Sequence, residues 1–186
     1  MKQTITKESI SNTLWRACDS FRGKIDSSIY KDYILVMLFV KYLSDTYKEH
    51  YEIYSEKYEG DETRVQRALS RDRFILDEKS TFDYLYKYRK ETNIGEIINK
   101  ALERIEEENK IKLRGVFRNI DFNSEVVLGQ TKDRNSILKD LLEDFNSLDL
   151  RPSTLEGADV IGDAYEYMIS KFASDAGKKQ REAFTP

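Results

Sequence analysis

The sequence predicts an all-α fold, a multi-helix bundle built around one long central helix. Three observations predict it: apolar residues recur at helical spacing, only eight glycines and two prolines interrupt 186 residues, and Tyr and Phe are abundant. Chains rich in strands need more turn residues than this, and disordered chains lack the apolar area that offsets the entropy of ordering. At this length the chain can bury one substantial core.

The two N-terminal helices carry a strong apolar pattern. The first is predicted to end near Gly23 and to bury one face, formed by Ile10, Leu14, Trp15, Cys18 and Phe21. A second, long helix is expected from a cap at 26–28 to about Tyr54. Its first half is apolar almost all round, as expected of a central helix. The half from Asp45 onward is polar and rich in tyrosine, so we expect it to project from the core.

Shorter helices are predicted after the break at Gly60. The pattern indicates helices around 62–69 and 81–88, separated by a charged loop. Asn93 is expected to cap a clearer helix, whose apolar residues recur at helical spacing over 94–105.

The last third of the chain combines one irregular stretch with two helices. Residues 113–130 are the least periodic and predict a packed loop with at most a minor short strand. A helix is expected from Thr131 to about Leu148. A final helix is expected after Gly157, with an apolar stripe formed by Val160, Ile161, Ala164, Tyr165, Met168, Ile169 and Phe172.

The composition excludes several kinds of site. No Gly-x-Gly occurs, which excludes a dinucleotide fingerprint and a phosphate-cradling loop, and two isolated prolines exclude an Asn-Pro-Pro catalytic loop. One cysteine and one histidine cannot assemble a Cys/His zinc site. We therefore expect no catalytic residue and no metal site within these residues. Cys18 is interpreted as a small buried residue and His50 as a solvated surface residue.

The sequence carries no sign of secretion or membrane insertion. The apolar run at 33–40 is far shorter than the roughly 20 residues that span a bilayer. No signal peptide opens the chain, and a single cysteine suits a reducing compartment. We therefore expect a cytoplasmic protein.

Basic residues cluster in three places, although the net charge is −3. Acidic neighbours favour a solvated face for two of these groups, Arg64, Arg67, Arg71 and Arg73, and Lys110, Lys112, Arg114 and Arg118. The third group follows a predicted helix end and has no acidic residue before Glu182. It is the candidate contact for a DNA phosphate backbone and comprises Lys178, Lys179 and Arg181.

Three ordered motifs stand out from this background. The first is Leu-Trp-Arg-Ala-Cys-Asp-Ser-Phe-Arg-Gly at 14–23. The second is Tyr-Lys-Asp-Tyr-Ile-Leu at 30–35, continued by Phe-Val-Lys-Tyr-Leu-Ser-Asp at 39–45. The third begins with Gly-Asp-Ala-Tyr-Glu-Tyr-Met-Ile at 162–169 and runs on to Lys179. Together they resemble the modification subunit of type I restriction-modification DNA methyltransferases, the HsdM family.

The resemblance implies a helical domain over 1–176 and the start of an S-adenosylmethionine-dependent methyltransferase domain at 177–186. In this family the last helix leads into a Gly-Glu-Phe-Tyr-Thr-Pro turn at the edge of the cofactor pocket. Arg181 stands where the family turn has glycine, and Ala183 stands where it has the first aromatic residue. The resemblance implies positions near the cofactor for Glu182, Ala183, Phe184, Thr185 and Pro186.

The complete subunit is then expected to transfer a methyl group from S-adenosylmethionine to adenine N6 in DNA. The cofactor and catalytic loops are expected beyond residue 186, so these residues alone should neither bind S-adenosylmethionine nor methylate DNA. The helical domain would close around DNA or hold a partner subunit. The implied partners are DNA, a specificity subunit, a second modification subunit and a restriction subunit, in a bacterium or archaeon. The alternatives are a non-enzymatic helical adaptor and a solitary restriction-methylation fusion.

Overall fold

The computed structural model of the chain describes residues 7–19, 21, 25 and 27–154. The described residues form an all-α architecture of eight α-helices without a strand, which confirms the predicted fold class. The helices are α1 (Lys7–Asp19), α2 (Ser27–Lys57), α3 (Glu62–Leu69), α4 (Phe82–Lys87), α5 (Ile94–Glu108), α6 (Lys110–Leu113), α7 (Glu125–Leu128) and α8 (Thr131–Asn146). Two short 3-10 turns cover Glu78–Ser80 and Pro152–Thr154.

The predicted helix boundaries agree closely with the structure. α3 covers the predicted 62–69, and α4 begins after Thr81, whose hydroxyl accepts a hydrogen bond from the Tyr84 amide at 3.2 Å. Asn93 precedes α5 as predicted, but its side chain makes no capping hydrogen bond, so that part of the prediction was wrong. The helix predicted after Gly157 lies outside the described residues.

α2 is the centre of the bundle, as its apolar first half predicts. It contacts α1, α3, α4 and α8, and α8 also contacts α1, α4 and α5. Large side chains from α1, α2, α4, α5 and α8 are fully buried between these elements, among them Leu14, Met37, Leu85, Ile98 and Leu141. Apolar burial stabilises by about 25 cal/mol per Å², so this shared core is the main source of stability. No helix in the described part has the length and hydropathy that crossing a membrane requires.

An aromatic cluster joins the start of α2 to the segment before α7. Phe21 stacks on Tyr30 with ring centroids 5.4 Å apart, and Tyr33 meets Phe122 edge to face at 5.0 Å. The Tyr33 hydroxyl donates a hydrogen bond to the backbone carbonyl of Asp121 at 3.1 Å. Burial first, and then the Asp121 carboxylate, raise the pKa of Tyr33. The cluster therefore fixes the irregular segment against the central helix.

Residues 113–130 form a packed loop with helical turns. Phe117, Phe122 and Leu128 are buried, as predicted, but Val126 is 97% exposed. The short helix α7 stands where the sequence allowed a minor strand, and the Ser124 hydroxyl caps it by accepting a hydrogen bond from the Val127 amide at 3.1 Å. A capping serine and one helical turn occupy this stretch. Apolar and polar residues therefore do not alternate here as they would in a strand.

Gly95 lets the first turn of α5 lie directly against this loop. A Cβ atom at residue 95 would come within 2.5 Å of the Phe122 carbonyl oxygen and 3.1 Å of the Asn123 Cα. Both neighbours are backbone atoms, which a rotamer change cannot displace. The contact is held in addition by Asn99, whose side chain accepts a hydrogen bond from the Phe122 amide at 2.9 Å.

We expect Gly95→Ala to destabilise the domain by about 1–3 kcal/mol, because the added methyl group overpacks a backbone contact. Helix propensity alone predicts the opposite sign, since Ala is favoured over Gly in a helix by about 1 kcal/mol. Denaturant unfolding followed by circular dichroism distinguishes the two. Glu103→Ala, at an exposed site on the same helix, is the control and should change stability by less than about 0.5 kcal/mol. A stabilised Gly95→Ala variant would contradict the close contact.

Candidate nucleic-acid interface

The candidate site residues near the end of the chain have no described position. Lys178, Lys179 and Arg181, the predicted phosphate contacts, lie outside the described residues. The same holds for the predicted cofactor-proximal residues Glu182, Ala183, Phe184, Thr185 and Pro186. The third sequence motif, at 162–169, is also outside the described part. Two basic groups remain to be compared within the bundle.

The basic group around α6 is largely occupied by local contacts. Lys110 pairs with Glu107 at 2.7 Å, and that pairing raises the pKa of the Lys110 ammonium. Lys112 donates a hydrogen bond to the backbone carbonyl of Arg73 at 2.7 Å and lies 5.6 Å from the Phe74 ring. These contacts agree with the solvated structural face that the sequence favours for this group.

The other basic group borders a groove between the second half of α2 and α3, which we name the α2–α3 groove. Its volume is about 480 Å³. It is lined by Tyr54, Lys57, Tyr58, Arg64, Arg67, Ala68, Arg71 and Asp72. Four of these residues are basic and one is acidic, so the groove is locally positive although the chain is not. Arg73 does not line it and lies over the Phe74 ring instead, at 5.3 Å.

The acidic neighbours of this group bind hydroxyl and amide groups on their own side of the groove. Glu62 accepts hydrogen bonds from the Tyr51 hydroxyl and the Gln66 amide, both at 2.8 Å. Those bonds, the one from Gln66 first, lower the pKa of Glu62. Among the contacts of the described residues, Arg64 is the one arginine of this group with an ion pair, a loose one with Asp61 at 3.6 Å. Glu62 therefore keeps its negative charge but forms no ion pair with the arginines among the described contacts.

Asp72 is held by two side chains from α2. Its Oδ1 accepts a hydrogen bond from the Tyr54 hydroxyl at 2.7 Å, and its Oδ2 lies 2.7 Å from Nδ1 of His50. The hydrogen bond to Asp72, followed by burial, raises the pKa of Tyr54 to about 12. His50 is therefore a partly buried tie between α2 and the end of α3, with 34% of its side chain exposed, and not the solvated residue predicted.

The tyrosine-rich half of α2 extends beyond the core cluster, as predicted, since Tyr47 alone of its tyrosines packs against that cluster in the described part of the chain. The packing of α3 along this half was not predicted. The signal was present in the sequence, because Tyr47, Tyr51, Tyr54 and Tyr58 recur at intervals of four, three and four residues. That spacing places them on one face of a helix, which is typical of a face covered by another element.

A buried ion pair marks the middle of α2. Lys41 Nζ lies 2.9 Å from Asp45 Oδ1, and their side chains are only 7% and 9% exposed. The second oxygen of Asp45 accepts a hydrogen bond from the Leu150 amide at 2.8 Å. Burial raises the pKa of Asp45, opposed mainly by the Lys41 charge. Next to it, the Ser44 hydroxyl accepts a hydrogen bond from the Phe82 amide at 2.7 Å and so anchors α4.

The same face of α2 holds the chain where it leaves α8. Glu49 accepts hydrogen bonds from the Ser153 hydroxyl at 2.9 Å and from the Ser153 amide at 3.2 Å. Arg151 binds Asp149 through two guanidinium nitrogens at 2.7 and 2.9 Å, and the hydrogen bond raises the pKa of Arg151. The segment at 149–154 is therefore fixed on α2 at several points.

The contacts described above are hydrogen bonds and ion pairs that join elements of the bundle. Among the described residues, no group of three or more His, Cys, Asp or Glu side chains is arranged to hold a metal ion. Cys18 is fully buried, in agreement with its interpretation as a small core residue. The arrangement that remains is an open, positively charged groove on a rigid helical support.

Comparison with known families assigns this helical bundle to a protein family. The family model of the HsdM N-terminal domain matches residues 10–145, which is most of the chain. The chain belongs to the HsdM N-terminal domain family. A second family model, that of the N-6 DNA Methylase, follows along the sequence and matches residues 156–186.

Relatives of this HsdM domain are methylase subunits. The type I restriction enzyme MpnII methylase subunit of Mycoplasma pneumoniae is 29% identical over 211 residues, covering 100% of this chain and 38% of the relative. The MjaIX methylase subunit of Methanocaldococcus jannaschii is 28% identical over 190 residues, covering 94% and 33%. The chain therefore spans well under half the length of these relatives.

A solved structure shows the same fold. It is the crystal structure of the type I restriction-modification system methyltransferase subunit from Streptococcus thermophilus, with a TM-score of 0.69 and 26% sequence identity. The match covers 91% of this chain and 39% of that one. The similarity to methyltransferase subunits therefore holds for the three-dimensional arrangement of the helices as well as for the sequence.

The first two motifs of the HsdM resemblance serve packing in this structure. Leu14 and Phe21 from the first motif are fully buried, and Tyr33 from the second joins the aromatic cluster. Lys41 and Asp45, near the end of the second motif, form the buried ion pair. The family pattern in this part of the chain is thus a pattern of core contacts.

Asp45→Ala should cost about 3–5 kcal/mol of unfolding free energy, because it leaves Lys41 buried without a partner. The double variant Lys41→Met/Asp45→Ala should recover part of that loss, since it removes the orphaned charge. Urea unfolding measures all three proteins. Asp83→Ala is the control, because it breaks the exposed Lys48–Asp83 pair at 3.3 Å and should cost less than about 1 kcal/mol. Equal effects of Asp45→Ala and Asp83→Ala would contradict a buried pair.

Tyr54 should make stability depend on pH in the alkaline range. Its pKa is raised from 10.0 to about 12 in the folded protein, so its contribution is fully present below pH 10 and is lost as the pH rises towards 12. Tyr54→Phe should therefore lose less stability than the parent between pH 10 and about pH 12, measured by urea unfolding. Parallel declines in both proteins would show that the Tyr54–Asp72 hydrogen bond carries no such linkage.

Proposed function

We propose that this HsdM domain is part of a type I restriction-modification methyltransferase subunit that transfers a methyl group from S-adenosylmethionine to adenine N6 in DNA. The observation that carries the proposal is the order of the two family matches. The HsdM N-terminal domain occupies 10–145 and the N-6 DNA Methylase begins at 156 in the same chain. The second match also favours a methyltransferase over a non-enzymatic adaptor.

The proposed reaction requires access to a base inside the duplex. Adenine N6 cannot reach a protein pocket while the base is stacked, so the target nucleotide has to be extruded. S-adenosylmethionine supplies the methyl group when it is bound. The role we assign to the helical domain is to hold the duplex or a partner subunit while this happens.

The terminal residues keep their proposed roles. Lys178, Lys179 and Arg181 would contact the DNA phosphate backbone, and the segment 182–186 would lie at the rim of the cofactor pocket. We place the helical domain at 1–176 and the beginning of the methyltransferase domain at 177–186, although the N-6 DNA Methylase model already matches from residue 156. These assignments rest on the family resemblance and on the charge pattern.

The proposed partners follow from the type I system. They are DNA, a specificity subunit that reads the target sequence, a second modification subunit and a restriction subunit. We propose the cytoplasm of the cell as the place of action, because the DNA substrate lies there. The methylase subunits that the chain resembles come from a bacterium and an archaeon.

The complete subunit, purified with its specificity subunit, should transfer a labelled methyl group from S-adenosylmethionine to adenine N6 in duplex DNA, detected by nucleoside analysis. Methylation of cytosine, or none at all, would refute the proposed function. The 186-residue chain alone should show no transfer and no appreciable S-adenosylmethionine binding in calorimetry. Micromolar binding would show that the cofactor site is built from these residues.

A further inference from the structure

We propose that the α2–α3 groove is a binding site for the phosphate backbone of duplex DNA. The proposal deepens the proposed function, on whose DNA substrate it rests, by naming the surface of the helical domain that meets the duplex. It concerns a group of residues separate from Lys178, Lys179 and Arg181.

Two arginines of the groove have free hydrogen-bond donors. Arg67 and Arg71 are exposed, and neither forms an ion pair with a carboxylate in the described part of the chain. Guanidinium groups bind phosphate oxygens through paired N–H donors, which makes arginine well suited to this ligand. Unpaired exposed arginines keep both their charge and their donors available to an incoming phosphate.

The arginines are spaced as a linear array. Arg64, Arg67 and Arg71 recur at intervals of three and four residues along α3 and the turn that follows it. At a rise of 1.5 Å per residue they cover about 10 Å along the helix axis. Along the duplex axis each DNA strand advances about 3.4 Å per phosphate, so an array of about 10 Å matches about three such steps when α3 lies along that axis.

The acidic residue that lines the groove, Asp72, is bound by two side chains of α2. Asp72 is fixed by Tyr54 and His50, which keeps its oxygens on the α2 side. Asp72 thus aligns the end of α3 against α2 without occupying the donors of Arg71. The two hydrogen bonds hold the cationic face in one orientation before any ligand arrives, which lowers the ordering cost of binding.

Lys57 and Tyr58 complete the opposite wall. Lys57 is exposed, and its ammonium group lies 5.4 Å from the Tyr58 ring. The Tyr58 hydroxyl has no hydrogen-bond partner among the described residues, so it is available as a donor, and tyrosine hydroxyls commonly contact phosphates. Both walls of the groove therefore present donors to the same space.

The lining favours a polyanion over a protein partner. Tyrosine and arginine also occur in protein interfaces, so the distinguishing feature is the excess of four cations over one carboxylate in the described lining. Phosphate contacts need clustered cations on an open surface and no apolar centre. The groove has this composition.

The test uses the 186-residue chain and a fluorescently labelled DNA duplex, with anisotropy titrations over a range of salt concentrations. The double variant Arg67→Gln/Arg71→Gln should bind roughly tenfold or more weakly at low salt. Its slope of log affinity against log salt should be shallower by about 1.8, since each phosphate contact contributes about 0.9. The matched control is Lys132→Gln/Arg114→Gln, which removes the same charge from exposed positions on α8 and after α6.

The control separates a site from a general charge effect. Three results would each overturn the proposed DNA site in the groove. They are an equal loss of DNA affinity in both double variants, an unchanged salt slope in the groove variant, and no DNA binding by the parent chain. If the chain binds polyglutamate more tightly than DNA, with the same dependence on Arg67 and Arg71, the groove binds an acidic protein partner. That result would also overturn the proposed DNA site. Thermal melting by circular dichroism verifies that both variants are folded.

Failure of the groove is distinguishable from failure of the proposed function. If the complete subunit methylates adenine while the groove variants bind DNA like the parent, the groove is wrong and the function stands. If labelled methyl transfer is absent although the groove variants lose DNA binding, the methyltransferase proposal is wrong and the groove is a DNA site of another kind.

Discussion

The buried pair of Lys41 and Asp45 is the contact on which the arrangement of the bundle depends. A lysine and an aspartate this deeply buried are tolerated because each satisfies the other and the free carboxylate oxygen binds the Leu150 amide. The pair lies between the aromatic cluster at one end of α2 and the α2–α3 groove at the other. It also links α2 to a residue more than a hundred positions later. The packing of the helices, the path of the chain after α8 and the position of the groove are therefore all set relative to this pair.

Charge is used in two different ways along α2. In the middle of the helix, charged groups are buried and fully paired, which specifies how the elements meet. Towards the end of the helix, carboxylates bind tyrosine, glutamine and histidine side chains and leave arginines exposed. A net charge of −3 conceals this division, because it averages over surfaces with opposite roles. Local partners, and not the total charge, decide what a face of this domain can bind.

The fold was largely predictable, because helical periodicity, caps and the near absence of glycine and proline all agree. The ties across the bundle were not predictable. Asp45 looked like the start of a projecting half because its partner Leu150 is remote in sequence. His50 looked solvated because its partner Asp72 lies 22 residues later, in the turn after α3. Which charged side chains form pairs depends on which elements pack together, and the packing of elements cannot be predicted from a single sequence. From the sequence, the candidate site could therefore be identified only as an arginine cluster with acidic residues nearby, a pattern that favoured a solvated face.

The fixation of Ser153 on Glu49 has a mechanical consequence. α2 is a single helix of 31 residues, about 46 Å long, and the anchor of the departing chain lies on it between the buried pair and the groove. Because Asp45 and Glu49 bind the amides of Leu150 and Ser153, the chain after α8 is held directly on this helix. The α2–α3 groove and the segment at 149–154 are thereby joined through one continuous helix.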